Sequence, residues 1–141
     1  MRPKKFPTPK KQGEWAEQAF ILKAMGLDIT LSRPIGDSSS YDVVAEGPTS
    51  HRLNRVQVKS IVFTRPDGLF AIHTTHRMGL TTVYTASEID FLALYVIPED
   101  LWYIIPVTAI GEDDRRISVR PSDPEKTPRF EPYREAWHLL F

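Results

Sequence analysis

The sequence has no cysteine among its 141 residues. That excludes disulfide staples, thiolate zinc sites, iron–sulfur clusters and a cysteine nucleophile, and it suits a reducing, cytoplasmic setting. Net charge is also missing, 18 basic residues being matched by 18 acidic ones. A general nucleic-acid coat protein would carry a strong positive excess, so this balance argues against one. No apolar run approaches the roughly 18 residues that span a bilayer, and no membrane partner is expected. The basic N-terminus lacks a following apolar stretch, so it does not read as a secretory signal. Neither the Walker nor the dinucleotide glycine spacing is present, which removes those phosphate-binding loops. His73 and His76 face opposite ways if they lie on a strand, which speaks against a zinc site.

What remains is an ordinary soluble composition, 41% hydrophobic and 26% charged, which argues against wholesale disorder. A chain of this length holds one real core, hence one domain. Its charge is unevenly placed. Arg2, Lys4, Lys5, Lys10 and Lys11 precede the first acid, Glu14, so the rest of the chain carries the compensating negative excess. Residues 1–12, rich in proline and lysine, read as a flexible basic arm, and residues 13–141 as a single domain. Such an arm is either a solvated tail or a contact to phosphates.

Along the body, a helix is expected from Gly13 to Met25, with Gly26 placed to end it in the left-handed conformation. Residues 28–33 alternate and read as a strand. Pro34 to Ser40 read as a loop. Tyr41 to Ala45 and residues 52–63 read as strands able to pair as a hairpin. A further strand is expected over Leu69 to Thr74. Phe91 to Ile97 is a continuous apolar run that suits a strand buried on both faces. Leu101 to Ile105 completes a second hairpin. Gly111 to Asp114 reads as a solvated loop, residues 121–132 as irregular, and Arg134 to Phe141 as a short helix packing Trp137 and Leu140. The aromatics at 91, 95, 102 and 103 lie in apolar runs and read as core. This order gives an α/β (α+β) sheet flanked by helices.

Three places resist explanation as plain packing. Glu17 shares a helical face with Phe20, Ile21 and Ala24, and a carboxylate among apolar neighbours is costly to bury unless it is compensated. Asp42 sits in an apolar strand, where aspartate is disfavoured. In Arg55-Val56-Gln57-Val58-Lys59, strand alternation points the valines to the core and projects Gln57 and Lys59 together from the other face. Each has an ordinary explanation alone: a rim position, a strand-end cap, a solvated strand face. Together they offer more. Asp42 and Gln57 lie on strands expected to be neighbours and present oxygens to a hard cation such as magnesium, which keeps several of its waters. Lys59, two residues on, brings an ammonium to the same place. A cation, a water and an ammonium are what phosphodiester hydrolysis needs. Glu17 joins them if its helix packs beside these strands.

Gly13-Glu14-Trp15-Ala16-Glu17, Gly36-Asp37 with Tyr41-Asp42, and Arg55-Val56-Gln57-Val58-Lys59-Ser60 follow one another in an order that resembles the PD-(D/E)xK nuclease superfamily. The resemblance is to its branch of small bacterial endonucleases and group I intron homing endonucleases. The segments Tyr84 to Phe91 and Trp102 to Pro106 extend it across residues 13–106. It implies a restriction-endonuclease-like mixed central sheet flanked by helices. It also implies a divalent-metal-dependent endonuclease acting on DNA, with Mg2+ as cofactor and Mn2+ able to substitute. Asp42, Gln57 and Glu17 carry over as the metal site, and Lys59 as the catalytic lysine. Two departures stand out. Gln57 replaces the superfamily's usual acid, and Tyr41 occupies the place of the proline before Asp42. The alternative is a catalytically inactive nuclease-fold module that binds DNA or a partner protein. Lys4, Lys5, Lys10, Lys11, Arg65 and Arg77 are the expected DNA contacts. Cutting both strands calls for two sites, so a homodimer or larger homo-oligomer is expected.

Overall fold

The computed structural model describes residues 5–75 and 83–141. Helix α1 runs from Pro9 to Met25, four residues earlier than the sequence pattern predicts. The reason is local. Thr8 adopts an extended backbone and its side chain accepts from the N–H of Lys11 at 3.2 Å, while Pro9 brings a pre-set φ to the first turn. Lys10 and Lys11 therefore sit on the helix and not in a flexible arm. The far end also differs from expectation. Gly26 is right-handed, with φ −65°, and the left-handed residue that turns the chain out is Asp28, with φ 61°.

Five strands form the main sheet: β1 (Thr30–Ser32), β2 (Val43–Glu46), β3 (Leu53–Ile61), β5 (Phe91–Val96) and β6 (Leu101–Pro106), in spatial order β1-β2-β3-β5-β6. Two more, β4 (Phe70–His73) and β7 (Arg116–Val119), make a separate antiparallel pair. The predicted hairpins β2–β3 and β5–β6 are both antiparallel. The long strands β3 and β5 run parallel, from Val56 beside Phe91 to Ile61 beside Val96. The connection between them carries β4 into the second sheet. Strand β7 has no counterpart in the sequence reading. It is short, it begins and ends with polar neighbours, and its pairing with β4 joins segments some fifty residues apart, Phe70 to Val119.

The apolar run on β5 is buried on both faces because both faces are covered. Ala93 and Tyr95 pack with Ala16, Phe20 and Ala24 of α1, with Val56 and Val58, and with Trp102, Trp137 and Leu140. Leu92, Leu94 and Val96 pack on the opposite side with Phe70, Ile117, Val119 and Phe130. Of the aromatics expected in the core, Tyr95, Trp102 and Tyr103 are buried, and Phe91 is part-buried against it. Tyr95 stacks on Trp102 with ring centroids 4.2 Å apart, and both are nearly inaccessible to solvent. The chain's last elements are short turns of 3-10 helix, ending with Trp137–Leu140. Trp137 and Leu140 are buried, as expected.

Candidate active site

Strand β3 sets the site. Its alternation is the one the sequence predicts: Asn54, Val56 and Val58 are buried, and Arg55, Gln57 and Lys59 are half-buried on the other face. Strand β2 pairs with β3 only as far as Val43 opposite Val56. Asp42 lies one residue before β2, and continuing the register sets it opposite Gln57. Its N–H donates to the carbonyl of Val56 at 2.9 Å. The N–H of Val58, beyond the last β2 pair, donates to the Asp42 carboxylate at 2.8 Å. Asp42 is thus a strand-end cap as well as a site candidate. The sequence left those two readings open, and the geometry joins them. The amide of Gln57 donates weakly to the carbonyl of Val58 at 3.4 Å, and its oxygen has no hydrogen-bond partner among the described residues.

Asp42 is the group that Glu17 and Lys59 have in common. Burial raises the Asp42 carboxyl above the usual range, opposed by the Val58 hydrogen bond and the charges of Lys59 and Arg33. Glu17, on α1, is raised first by burial and then by repulsion from Asp42, with Arg33 opposing. Lys59 is lowered by burial, and Asp42 opposes that. Glu17 and Asp42 also line one polar cleft of about 280 Å3, together with Arg33, Pro34, Gly36, Asp37, Ser39 and Tyr41. Near the end of β3, Gln12 of α1 donates to the hydroxyl of Ser60 at 3.0 Å, which ties the helix to the strand beside Lys59.

Arg33 and Tyr84 belong to this neighbourhood, and the sequence pointed to neither as a site residue, although Tyr84 opens one of the segments that carry the resemblance. Arg33 directly follows β1 and precedes a proline, and nothing in its local pattern separates it from any exposed arginine. Tyr84 is buried, and its ring centroid lies 5.5 Å from the Lys59 Nζ. Burial and the charges of Asp42 and Glu88 push its hydroxyl up to about 12. Arg55 did carry a signal, since it shares the row that contains Gln57 and Lys59. Its guanidinium grips Asp90 at 3.0 and 3.1 Å.

The expected DNA contacts are scattered. Lys4 and Arg77 lie outside the described residues, as does His76. Lys5, Lys10 and Lys11 are exposed at and before the start of α1, and Lys11 pairs with Glu14 at 3.7 Å. Arg65 is exposed in the turn after β3 and pairs with Asp67 at 3.6 Å. Asp67 also receives Arg120 at 3.1 Å, so Arg65 shares its partner.

A model of the PD-(D/E)XK endonuclease family matches residues 8–140, nearly the whole chain. The chain belongs to the PD-(D/E)XK endonuclease family. Among solved structures it is similar to the bacterial homing endonuclease I-Ssp6803I, at 30% identity and a TM-score of 0.78, covering 96% of this chain and 92% of that one. A second similar structure is Hjc, a Holliday junction resolvase from Archaeoglobus fulgidus. It has 15% identity and a TM-score of 0.47, with 79% and 85% of the two chains covered. Among curated proteins, none matches in sequence. The mixed five-stranded sheet with its helix is the restriction-endonuclease-like fold that the PD-(D/E)XK resemblance implies.

Nucleases of the PD-(D/E)XK family generally use divalent metals. The donor chemistry here fits such an ion. Glu17, Asp42 and Gln57 offer oxygen alone, the set a hard cation prefers. Two carboxylates whose charges repel each other gain from a cation. No group of three or more His, Cys, Asp or Glu side chains with metal-binding geometry occurs among the described residues.

Proposed function

We propose that this protein is a divalent-metal-dependent endonuclease that hydrolyses DNA phosphodiester bonds. The observation that carries the reading is the position of Asp42, which shares a polar cleft with the acid of α1 and acts electrostatically on the lysine of β3. Family membership and the similarity to a homing endonuclease support the nuclease class.

Asp42, Gln57 and Glu17 are the residues that would hold the ion, with Mg2+ as the working cation and Mn2+ as a substitute. When bound, such a cation lowers the pKa of water and neutralises charge on the phosphate. The protein's own groups supply the rest. Lys59 holds an ammonium in a part-desolvated place, where it stabilises the negative charge that builds on the phosphate oxygens or orients the attacking water. Arg33, exposed at the cleft, offers a second positive charge to the phosphate. The Val58 N–H fixes one Asp42 oxygen, so the carboxylate is oriented before any ligand arrives. In net terms water adds across the bond between phosphorus and the 3′ oxygen, which leaves with the proton. Cutting both strands of a duplex would bring two copies together, and we propose a homodimer or larger homo-oligomer.

The test is nicking of supercoiled plasmid with magnesium. Wild type should nick, and Lys59→Ala and Asp42→Ala should each lose on the order of a hundredfold or more, the scale of removing a preorganised electrostatic group. Equal nicking by all three proteins would defeat the proposal. Magnesium-independent DNA binding with no cleavage of any substrate would favour the inactive binding module, a reading that the neutral Gln57 makes specific.

A further inference from the structure

The face of β3 that presents Gln57 and Lys59 also carries Arg55, and Arg55 organises something the site uses. Its backbone N–H donates to the carboxylate of Asp90 at 2.7 Å, and its guanidinium reaches the same carboxylate. It also donates to the carbonyls of Ser87 and Ala86, each at 2.8 Å. One arginine therefore grips the turn over residues 85–90 at three residues. Glu88 of that turn accepts from the Ser40 hydroxyl at 3.3 Å, which ties it to the loop two residues before Asp42. The residue that enters this turn is Tyr84, whose N–H donates to the carbonyl of Thr74 at 3.2 Å.

Arg55 thus fixes the turn that sets a ring against Lys59, four residues further along the same face. A cation within about 6 Å of an aromatic centroid is attracted by the ring's quadrupole, and more strongly where water is excluded. Lys59 Nζ lies 5.5 Å from the Tyr84 centroid, and the tyrosine is only 6% exposed. A lysine otherwise has a flexible stem with many rotamers, whose freedom must be given up to present the ammonium in one place.

We propose that Tyr84 is the positioning residue for Lys59, its ring face holding the ammonium in the site, and that the Arg55–Asp90 pair positions Tyr84. The consequence for cleavage rests on the nuclease reading above; the contact itself does not. The aromatic face does the work, so a ring without the hydroxyl suffices.

Two measurements test this. In single-turnover nicking with magnesium, Tyr84→Phe should stay within about threefold of wild type. Tyr84→Leu should lose roughly tenfold or more, the rate equivalent of a desolvated cation–π contact. DNA affinity should change less than about twofold in both, since the contact serves the chemical step and not ground-state binding. Tyr84→Leu added to Lys59→Ala should cost nothing further. In NMR, the Lys59 ε-methylene protons should be shifted upfield by the ring current in wild type and Tyr84→Phe, and relax towards the ordinary lysine position in Tyr84→Leu. Tyr84→Met replaces Tyr84→Leu if the latter does not fold. Equal loss in Tyr84→Phe and Tyr84→Leu, an additive double variant, or an unmoved Lys59 signal would overturn the proposal. A wild type that never cleaves would instead defeat the nuclease reading, and the NMR comparison would still decide the ring's role.

Discussion

The N–H of Val58 donates to the carboxylate of Asp42 at 2.8 Å, so a side chain caps β3 where its partner β2 has ended. That hydrogen bond is what makes a part-buried acid tolerable at the mouth of the sheet. It satisfies a backbone donor and holds one carboxylate oxygen in place. Burial still raises the cost of its charge, and that charge in turn raises the cost of ionising Glu17.

Asp42→Asn should therefore separate stability from activity. An amide oxygen still accepts from Val58, while the buried charge and its repulsion with Glu17 disappear. The expected result is a Tm higher by roughly 2–4 °C, as for many substitutions that relieve a strained active site, with cleavage lost. Thermal unfolding at neutral pH and plasmid nicking read the two halves. A lower Tm would show that the charge itself supports the fold.

The same groups set a pH dependence. Asp42 and Glu17 titrate above their ordinary values. Above the raised folded values their ionisation costs stability, and that cost is relieved as pH falls through those values towards the unfolded ones. Lys59 is lowered; its cost is present while it stays charged and fades as pH rises from its folded value towards 10.5. If these two acids hold the cation, as proposed, both must be ionised, so cleavage should fall on the acid side as they protonate. More magnesium should push that limb to lower pH, because the ion competes with protons. A limb that ignores magnesium concentration would mean that these acids do not bind it.

Gln57→Glu should supply the charge that the site lacks. With a third carboxylate, the magnesium concentration for half-maximal cleavage is expected to drop roughly tenfold, since cation affinity follows ligand charge. A magnesium titration of nicking measures it. An unchanged midpoint would place Gln57 outside the coordination sphere.

The basic N-terminus needs a trimmed test, because α1 starts at Pro9 and Phe6 packs on Trp15 with centroids 5.4 Å apart. Removing residues 1–5 takes away Arg2, Lys4 and Lys5 and spares both. If these residues touch phosphates, DNA binding weakens and the log–log salt slope flattens by about 0.9 for each phosphate no longer neutralised. Binding isotherms at several salt concentrations decide it, and an unchanged slope leaves the segment a solvated tail.

Much of this protein follows from local pattern. The period-2 alternation of Arg55 to Lys59 fixes which side chains share a face, and the apolar run at 91–96 announces a strand covered on both sides. The ordered motifs from Gly13 to Ser60 point to the PD-(D/E)XK family. Local pattern was less informative at helix ends, where Thr8 and Asp28 took the roles expected of Gly13 and Gly26. It was silent on β7, which is a strand only because β4 lies beside it.

Tertiary structure decided what meets what. That β3 and β5 run parallel, that Glu17 on a helix confronts Asp42 from a loop, that Arg33 stands at their cleft and that Tyr84 lies against Lys59 are contacts between segments distant in the chain. Backbone sterics and side-chain alternation act over a few residues and can be read one strand at a time. The energy of a buried charge depends on every neighbour the fold brings to it, and only the packed sheet and helix supply those neighbours.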